Sequence, residues 1–223
     1  MKSFIRWFVD SVARMGTDVI CRIEKDDLSK VPEAGPLILA GNHIGSLEVP
    51  VLLTHLQPRV IYGLAKVETW DNKFMAWLFD LWNGIPVRRG EADMDAIRAC
   101  LDVLKSGNIL AIAPEGTRSN DGHLLRGQPG TALIALRSNA PILPMAHWGG
   151  EYFNGNLKKL KRTDFHFRVG KPFYLDPKGQ KVDGKMRQDM ADEIMCQIAA
   201  LMPKEYRGLY ADCSTQPKYL HFL

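Results

Sequence analysis

With 223 residues, 46% hydrophobic and 24% charged, the chain has an ordinary globular composition and the length for one substantial core. A formal net charge of +4 is far from the dense basic stripes of nucleic-acid binders, so no nucleic-acid partner is expected, and a membrane surface or a phosphorylated substrate fits better. Cys21, Cys100, Cys196 and Cys213 are scattered without a C-x-x-C pair, so neither a metal ribbon nor a disulfide framework is expected, and a reducing cytosolic compartment is the simplest reading.

In chain order, residues 1–24 read as an N-terminal amphipathic helix. Phe4, Ile5, Phe8, Val9, Val12 and Met15 recur at helical spacing, Lys2, Arg6 and Arg14 add positive charge, and Trp7 suits an interface. The same periodicity suits a helix docking its apolar face on the core. Arg6, Asp10 and Arg14 break up any apolar core of a signal peptide. The longest apolar runs, Pro36–Ala40 and Ile109–Pro114, fall well short of the ~18–20 residues that span a bilayer.

Residues 25–202 read as one domain in which strand-like runs alternate with helical patterns. Strands are expected at Pro36–Gly41, Arg59–Ala65, Gly84–Val87, Asn108–Ala113 and Pro141–His147, and helices at Val49–His55, Trp70–Trp82, Asp93–Leu104, Thr131–Ser138 and Met186–Leu201. Phe165–Leu175 alternates apolar and polar residues across a break at Gly170-Lys171-Pro172, which reads as a bent edge strand. The alternation predicts an α/β fold, with a mixed, largely parallel central sheet flanked by helices. Residues 203–223 read as a polar C-terminal tail.

Ligands in such sheets bind where strands end, so the loops after the strands carry the chemistry. The first is Gly41-Asn42-His43-Ile44-Gly45-Ser46-Leu47-Glu48, entering a helix that Pro50 can start. Five residues along a helix rotate ~140°, so His43 and Glu48 can meet only if a turn separates them. The carboxylate could then accept one ring N–H and leave the other nitrogen free to take a proton. Taken alone, the pair reads better as a local cap and an acid at a helix start. His55, His123, His147, His166 and His221 have no carboxylate at suggestive spacing and read as structural or surface residues.

In Gly84-Ile85-Pro86-Val87-Arg88-Arg89-Gly90 two arginines follow a buried strand, and alternation on an extended chain turns one of them toward the site. Ala113-Pro114-Glu115-Gly116-Thr117-Arg118-Ser119 reads as a phosphate seat, in which Arg118 offers a donor fork and Glu115 holds an arginine in place. The proline-flanked Ala140–Met145 run is scaffold or an apolar wall for an acyl chain. Nucleotide-binding, zinc-protease and serine-hydrolase signatures are missing.

Together, in this order, these four blocks resemble the glycerolipid acyltransferase family typified by 1-acylglycerol-3-phosphate acyltransferases, over about residues 36–147. Asn42, His43 and Glu48 resemble its N-H-x-x-x-x-D motif, Gly84 and Arg89 its G-x-x-x-x-x-R segment, Pro114 to Ser119 its P-E-G-T-R-S motif, and Pro144 its proline-centred strand. The resemblance implies acyl transfer from acyl-CoA or acyl carrier protein to a hydroxyl of lysophosphatidic acid, giving phosphatidic acid, with no cofactor and no metal. It implies His43 as general base, Glu48 as its orienter, and Arg89, Glu115, Gly116, Thr117 and Arg118 as the phosphate site. Lys66 resembles a recurrent family lysine, and Arg88 and Asn42 are further candidates. It also implies peripheral (monotopic) attachment at the cytoplasmic face of a membrane.

Glu48 stands where the family has aspartate, Arg88 where an aspartate is common, and Ala113 where an aromatic is usual. These departures bear on the acceptor, which could be another lyso-lipid or glycerol-3-phosphate. A different class of reading is a non-catalytic protein that binds anionic lipid.

Overall fold

The computed structural model describes residues 2–45, 47–56, 58–213 and 216–223, residues 2 and 3 by their backbone alone. Helix α1 (Lys2–Ile20) leads directly into β1 (Cys21–Glu24), and a 3-10 turn at Asp26–Lys30 precedes β2 (Leu37–Gly41). There follow α2 (Glu48–His55), β3 (Ile61–Lys66), α3 (Lys73–Leu81), β4 (Gly84–Val87), α4 (Met94–Lys105), β5 (Ile109–Ile112) and α5 (Gly130–Ser138). The chain continues through β6 (Ile142–Trp148), α6 (Phe153–Lys158), β7 (Thr163–Val169), β8 (Phe173–Leu175), α7 (Gly184–Ala200) and β9 (Leu220–Phe222).

Among the described residues the strands form one sheet in the order β1-β7-β6-β2-β5-β3-β4, with β8 beside β6 and β9 beside β8. Pairs β1–β7, β2–β5, β2–β6, β3–β4 and β3–β5 are parallel, while β7 and β8 run antiparallel to β6. The sheet is thus mixed and largely parallel, with helices on both faces, as the alternation predicts. Every residue of β2 is buried, as expected of a strand covered on both sides. Ile38, Ala40, Leu110, Ile112 and Ala146 pack with α4, α5 and α7 on one face; Leu37, Leu39, Ile109, Leu143 and Met145 pack with α2 and α1 on the other.

Helix limits follow local chemistry. Asn72 caps α3 by accepting from the Phe74 and Met75 amides at 3.0 and 3.1 Å, so the expected helix over Trp70–Trp82 divides into a 3-10 turn at Val67–Asp71 and α3. Asp93 caps α4 through the Ala96 amide at 3.1 Å, and α5 ends on Asn139 in the left-handed region. At Gly84 a Cβ would press against the Phe79 ring and carbonyl at 3.0 and 3.1 Å, so glycine there lets β4 pass close under the end of α3.

Three expectations are corrected. The bent segment is two strands split at residues 170–172, and it is not at the edge. β7 lies between β1 and β6, and β8 between β6 and β9. The covering strands are only four and three residues long, too short for a period to show. Second, Cys21–Glu24 belongs to the sheet rather than to the N-terminal helix. Third, residues beyond Ala200 are not a solvated tail: Tyr210 and Tyr219 are buried, and Glu193 accepts from the Lys218 and Tyr219 amides at 2.7 and 2.9 Å.

Helix α1 docks with its narrower, more polar side. Val9, Ala13 and Ile20 reach the core, Asp10 accepts from Trp82 Nε1 at 2.9 Å, and His55 Nε2 meets Asp18 at 3.4 Å. Phe4, Phe8, Val12, Met15 and Val19, spaced by three or four residues, form an exposed stripe beside Trp7. Docking of the large apolar residues on the core is therefore not how this helix is used. No helix among the described residues is long and apolar enough to cross a membrane.

Cys196 of α7 is bonded to Cys213, whereas Cys21 and Cys100 are free and buried. This corrects the expectation of no disulfide and removes cysteine usage as an argument for a compartment. The bond closes a loop with a sequence separation of 17. Reduction, or Cys213→Ser, is expected to lower the unfolding free energy by about 2–4 kcal/mol in urea titrations. An unchanged midpoint would mean that the noncovalent contacts of the C-terminal segment suffice.

Candidate active site

His43 lies just beyond the end of β2, and its backbone is held by the loop that follows β5. Its N–H donates to Glu115 Oε1 at 2.9 Å, its carbonyl accepts from the Ser119 amide at 2.9 Å, and the Ile44 carbonyl accepts from the Asn120 amide at 3.2 Å. Helix α2 starts at Glu48 itself, and Pro50 occupies its third position, where a missing N–H still costs no helical bond. The chain reverses between residues 43 and 48, so the two side chains meet: His43 Nδ1–H donates to Glu48 Oε1. Residue 46 of that turn lies outside the described residues.

The Gly45 amide also approaches both Glu48 oxygens at 3.3 Å. Burial by itself would raise the Glu48 pKa, but the hydrogen bond from His43 and the neighbouring imidazoles outweigh it and hold the carboxyl below its ordinary value. Glu48 is thus a buried carboxylate that fixes the His43 tautomer and leaves Nε2 free to accept a proton.

Asn42, buried behind this pair, clasps His147 of β6. Its Nδ2 donates to the His147 carbonyl at 2.8 Å, its Oδ1 accepts from the His147 amide at 2.9 Å, and its own carbonyl accepts from His147 Nε2 at 2.8 Å. Burial pushes the His147 pKa down. Its place is structural, locking the end of β2 to β6.

The pair opens into a cavity of about 920 Å³ at the carboxyl ends of the parallel strands, where open α/β sheets bind ligands. It reaches both faces of the sheet: Leu52, Leu53, Trp82 and Met145 line one side, Ile97, Cys100, Leu133 and Ile134 the other. His43, Asn42, Glu48, Arg88, Arg89, Glu115, Gly116 and Thr117 all contribute to its walls. Both arginines reach it, against the expectation of one. They differ in freedom: Arg88 pairs with Glu91 and Asp93 at 3.6 and 3.5 Å, while the Arg89 guanidinium has no ion-pair partner among the described residues.

Two expected members are absent from the walls. Arg118 is exposed beyond the turn at Gly116, whose φ of +70° suits glycine. Lys66 is exposed at the end of β3. Nor does Glu115 hold an arginine: its second oxygen accepts from the Leu125 amide at 2.8 Å, so it staples two loops. The sequence overlooked Arg187 of α7, with Gln128 and Thr131 at the start of α5, which also line the cavity. Arg187 sits among the charges of an amphipathic helix, where nothing distinguishes it from a solvated residue.

Burial raises the Glu115 pKa to about 7; the amides of Leu125 and His43 oppose the rise, and the Glu48 and Asp121 charges reinforce it. An unfolded glutamate releases its proton near 4.5, so this group's contribution to stability is present below that pH and lost as the pH rises through about 7. Glu115→Gln, neutral throughout, is expected to flatten that loss, read from urea midpoints at about pH 5 and about pH 8. The same slope in variant and wild type would mean that native Glu115 is charged across the range.

The chain is 26% identical over 144 residues to the 1-acyl-sn-glycerol-3-phosphate acyltransferase of Bacillus subtilis (strain 168), covering 65% of this chain and 70% of that one. It is 27% identical over 190 residues to the Pseudomonas aeruginosa protein of the same name, covering 83% and 72%. In fold it matches the crystal structure of the 1-acyl-sn-glycerophosphate (LPA) acyltransferase PlsC from Thermotoga maritima, with a TM-score of 0.65 at 20% identity over 90% of this chain and 79% of that one. The family profile described as Acyltransferase matches residues 22–148, and the chain belongs to the acyltransferase family.

Proposed function

We propose that the protein transfers a fatty acyl group from a thioester donor, acyl-CoA or acyl carrier protein, to the free hydroxyl of lysophosphatidic acid, giving phosphatidic acid. The observation that carries this reading is the His43–Glu48 pair at the mouth of an apolar cavity rimmed by arginine. The names of the bacterial relatives support the choice of acceptor.

In this reading His43 Nε2 takes the proton of the acceptor hydroxyl as its oxygen attacks the thioester carbonyl. Glu48 stabilises the imidazolium that forms, and the thiolate leaves, collecting the proton. A thiolate is a good enough leaving group that neither metal nor redox cofactor is called for. Arg89, with Gly116 and Thr117, faces the acceptor phosphate while Arg88 is held by Glu91 and Asp93, and Glu115 acts indirectly by fixing the His43 backbone. Apolar walls on either side of the sheet suit acyl chains, Met145 giving the proline-flanked strand its part in them.

The reading is tested with purified protein, labelled acyl donor and lysophosphatidic acid. His43→Ala is expected to lower turnover by about 10²–10⁴-fold, with a smaller loss in Glu48→Gln. Product undiminished in His43→Ala would overturn it, and no product from wild type would favour a binding role alone.

The exposed stripe of α1 supports attachment to the surface of a membrane, with Phe74 and Trp77 of α3 as further exposed aromatics. Phe8→Ser with Met15→Ser is expected to release the protein from sedimenting anionic liposomes; unchanged sedimentation would confine α1 to packing.

A further inference from the structure

Apart from Arg89, the cavity contains a second candidate for anion recognition. Helix α5 begins without a side-chain cap, on Pro129, and its first residues Gly130 and Thr131 line the cavity. Thr131 is only 3% exposed, yet its hydroxyl has no hydrogen-bond partner among the described residues and is not sealed from the cavity. Arg187 lines the same cavity, and its guanidinium has no carboxylate or carbonyl partner among the described residues.

The frame around these groups is rigid. The Gln128 amide donates to the Pro114 carbonyl at 2.7 Å, which joins the start of α5 to the loop carrying Glu115. Gln188, the neighbour of Arg187, donates from Nε2 to the Gly127 carbonyl at 2.9 Å. The Gly127 amide donates to the Tyr210 hydroxyl at 2.9 Å, and that hydroxyl donates to Asp192 of α7 at 2.7 Å. An uncapped helix start, a buried free hydroxyl and an unpaired guanidinium are therefore held in one cavity by bonds to their immediate neighbours, without carboxylates of their own.

We propose that Arg187, Thr131 and the first turn of α5 form a seat for a substrate phosphate, additional to Arg89. Open amides at a helix start and a planar guanidinium are the donors a phosphate group matches. Only the identity of the phosphate's carrier rests on the acyltransferase reading: it is either the glycerol phosphate of the acceptor or a phosphate of the donor's pantetheine arm.

Calorimetric titration of the full-length protein with glycerol 3-phosphate and, separately, with coenzyme A distinguishes the two, and it does so without turnover. Wild type is expected to bind at least one, and Arg187→Ala to weaken that affinity by about 10- to 100-fold. Arg187→Lys should recover part of the loss, and Thr131→Val should weaken binding by a smaller factor. Loss confined to glycerol 3-phosphate assigns the seat to the acceptor, and loss confined to coenzyme A assigns it to the donor. Unchanged affinity for both in Arg187→Ala, or no binding of either by wild type, would overturn the seat, whereas the turnover assay judges the reaction.

Discussion

The hydrogen bond from His43 Nδ1 to Glu48 is the interaction on which the rest of the site depends. A neutral imidazole can act as a base only through the nitrogen that carries no proton, and a carboxylate at the other nitrogen decides which one that is. Here the carboxylate is buried at the first residue of a helix, where partial positive charge from unsatisfied amides favours it. Glutamate stands here where the family has aspartate, and from the first residue of the helix its carboxylate reaches the ring.

That pair is positioned by backbone more than by side-chain packing. Both carbonyls at His43 and Ile44 accept from the loop after β5, and the His43 amide is held by Glu115. Asn42 performs the same service one strand away, exchanging three hydrogen bonds with His147. Parallel neighbours β6, β2 and β5 end side by side, so their loops converge on one edge of the sheet. Two buried carboxylates, Glu48 and Glu115, then lie close enough to repel. One is stabilised as the anion by His43, and the other is shifted toward holding its proton, so the burial cost of a second charge is reduced.

Charge around the cavity is arranged asymmetrically. Arg88 is neutralised by Glu91 and Asp93, which turns the residue that departs from the family pattern into a brace for the start of α4. Arg89 and Arg187 keep their donors open. On the outside, α1 presents its large apolar side chains to solvent while Val9, Ala13 and Ile20, with the polar Asp10 and Asp18, make the contacts that dock it. This inverts the usual use of an amphipathic helix and leaves an apolar surface for another medium.

Much of this molecule is legible in its sequence because the signals are local. Runs such as Leu37–Gly41 and Ile142–Ala146 are apolar throughout since both faces of the sheet are covered there, and Asp93 and Asp183 cap helices within three residues of themselves. His43, Glu48, Arg89, Glu115, Gly116 and Thr117 could be named because the loops that carry them resemble the family's blocks in order. Only the tertiary structure decided which of the named residues meet. Arg118, two residues beyond Gly116, and Lys66, at the end of β3, are exposed away from the cavity walls, and Glu115 exchanged an expected arginine for two backbone amides. β1 and β9 depend on partners far away in the chain, the Cys196–Cys213 bond depends on how the segment after α7 folds back on it, and short strands carry too few residues to show a period. Arg187 is the sharpest case: on α7 its spacing is that of any solvent-facing charge, and it becomes a candidate ligand because Gln188 pins the helix against Gly127, a contact that linear order does not encode.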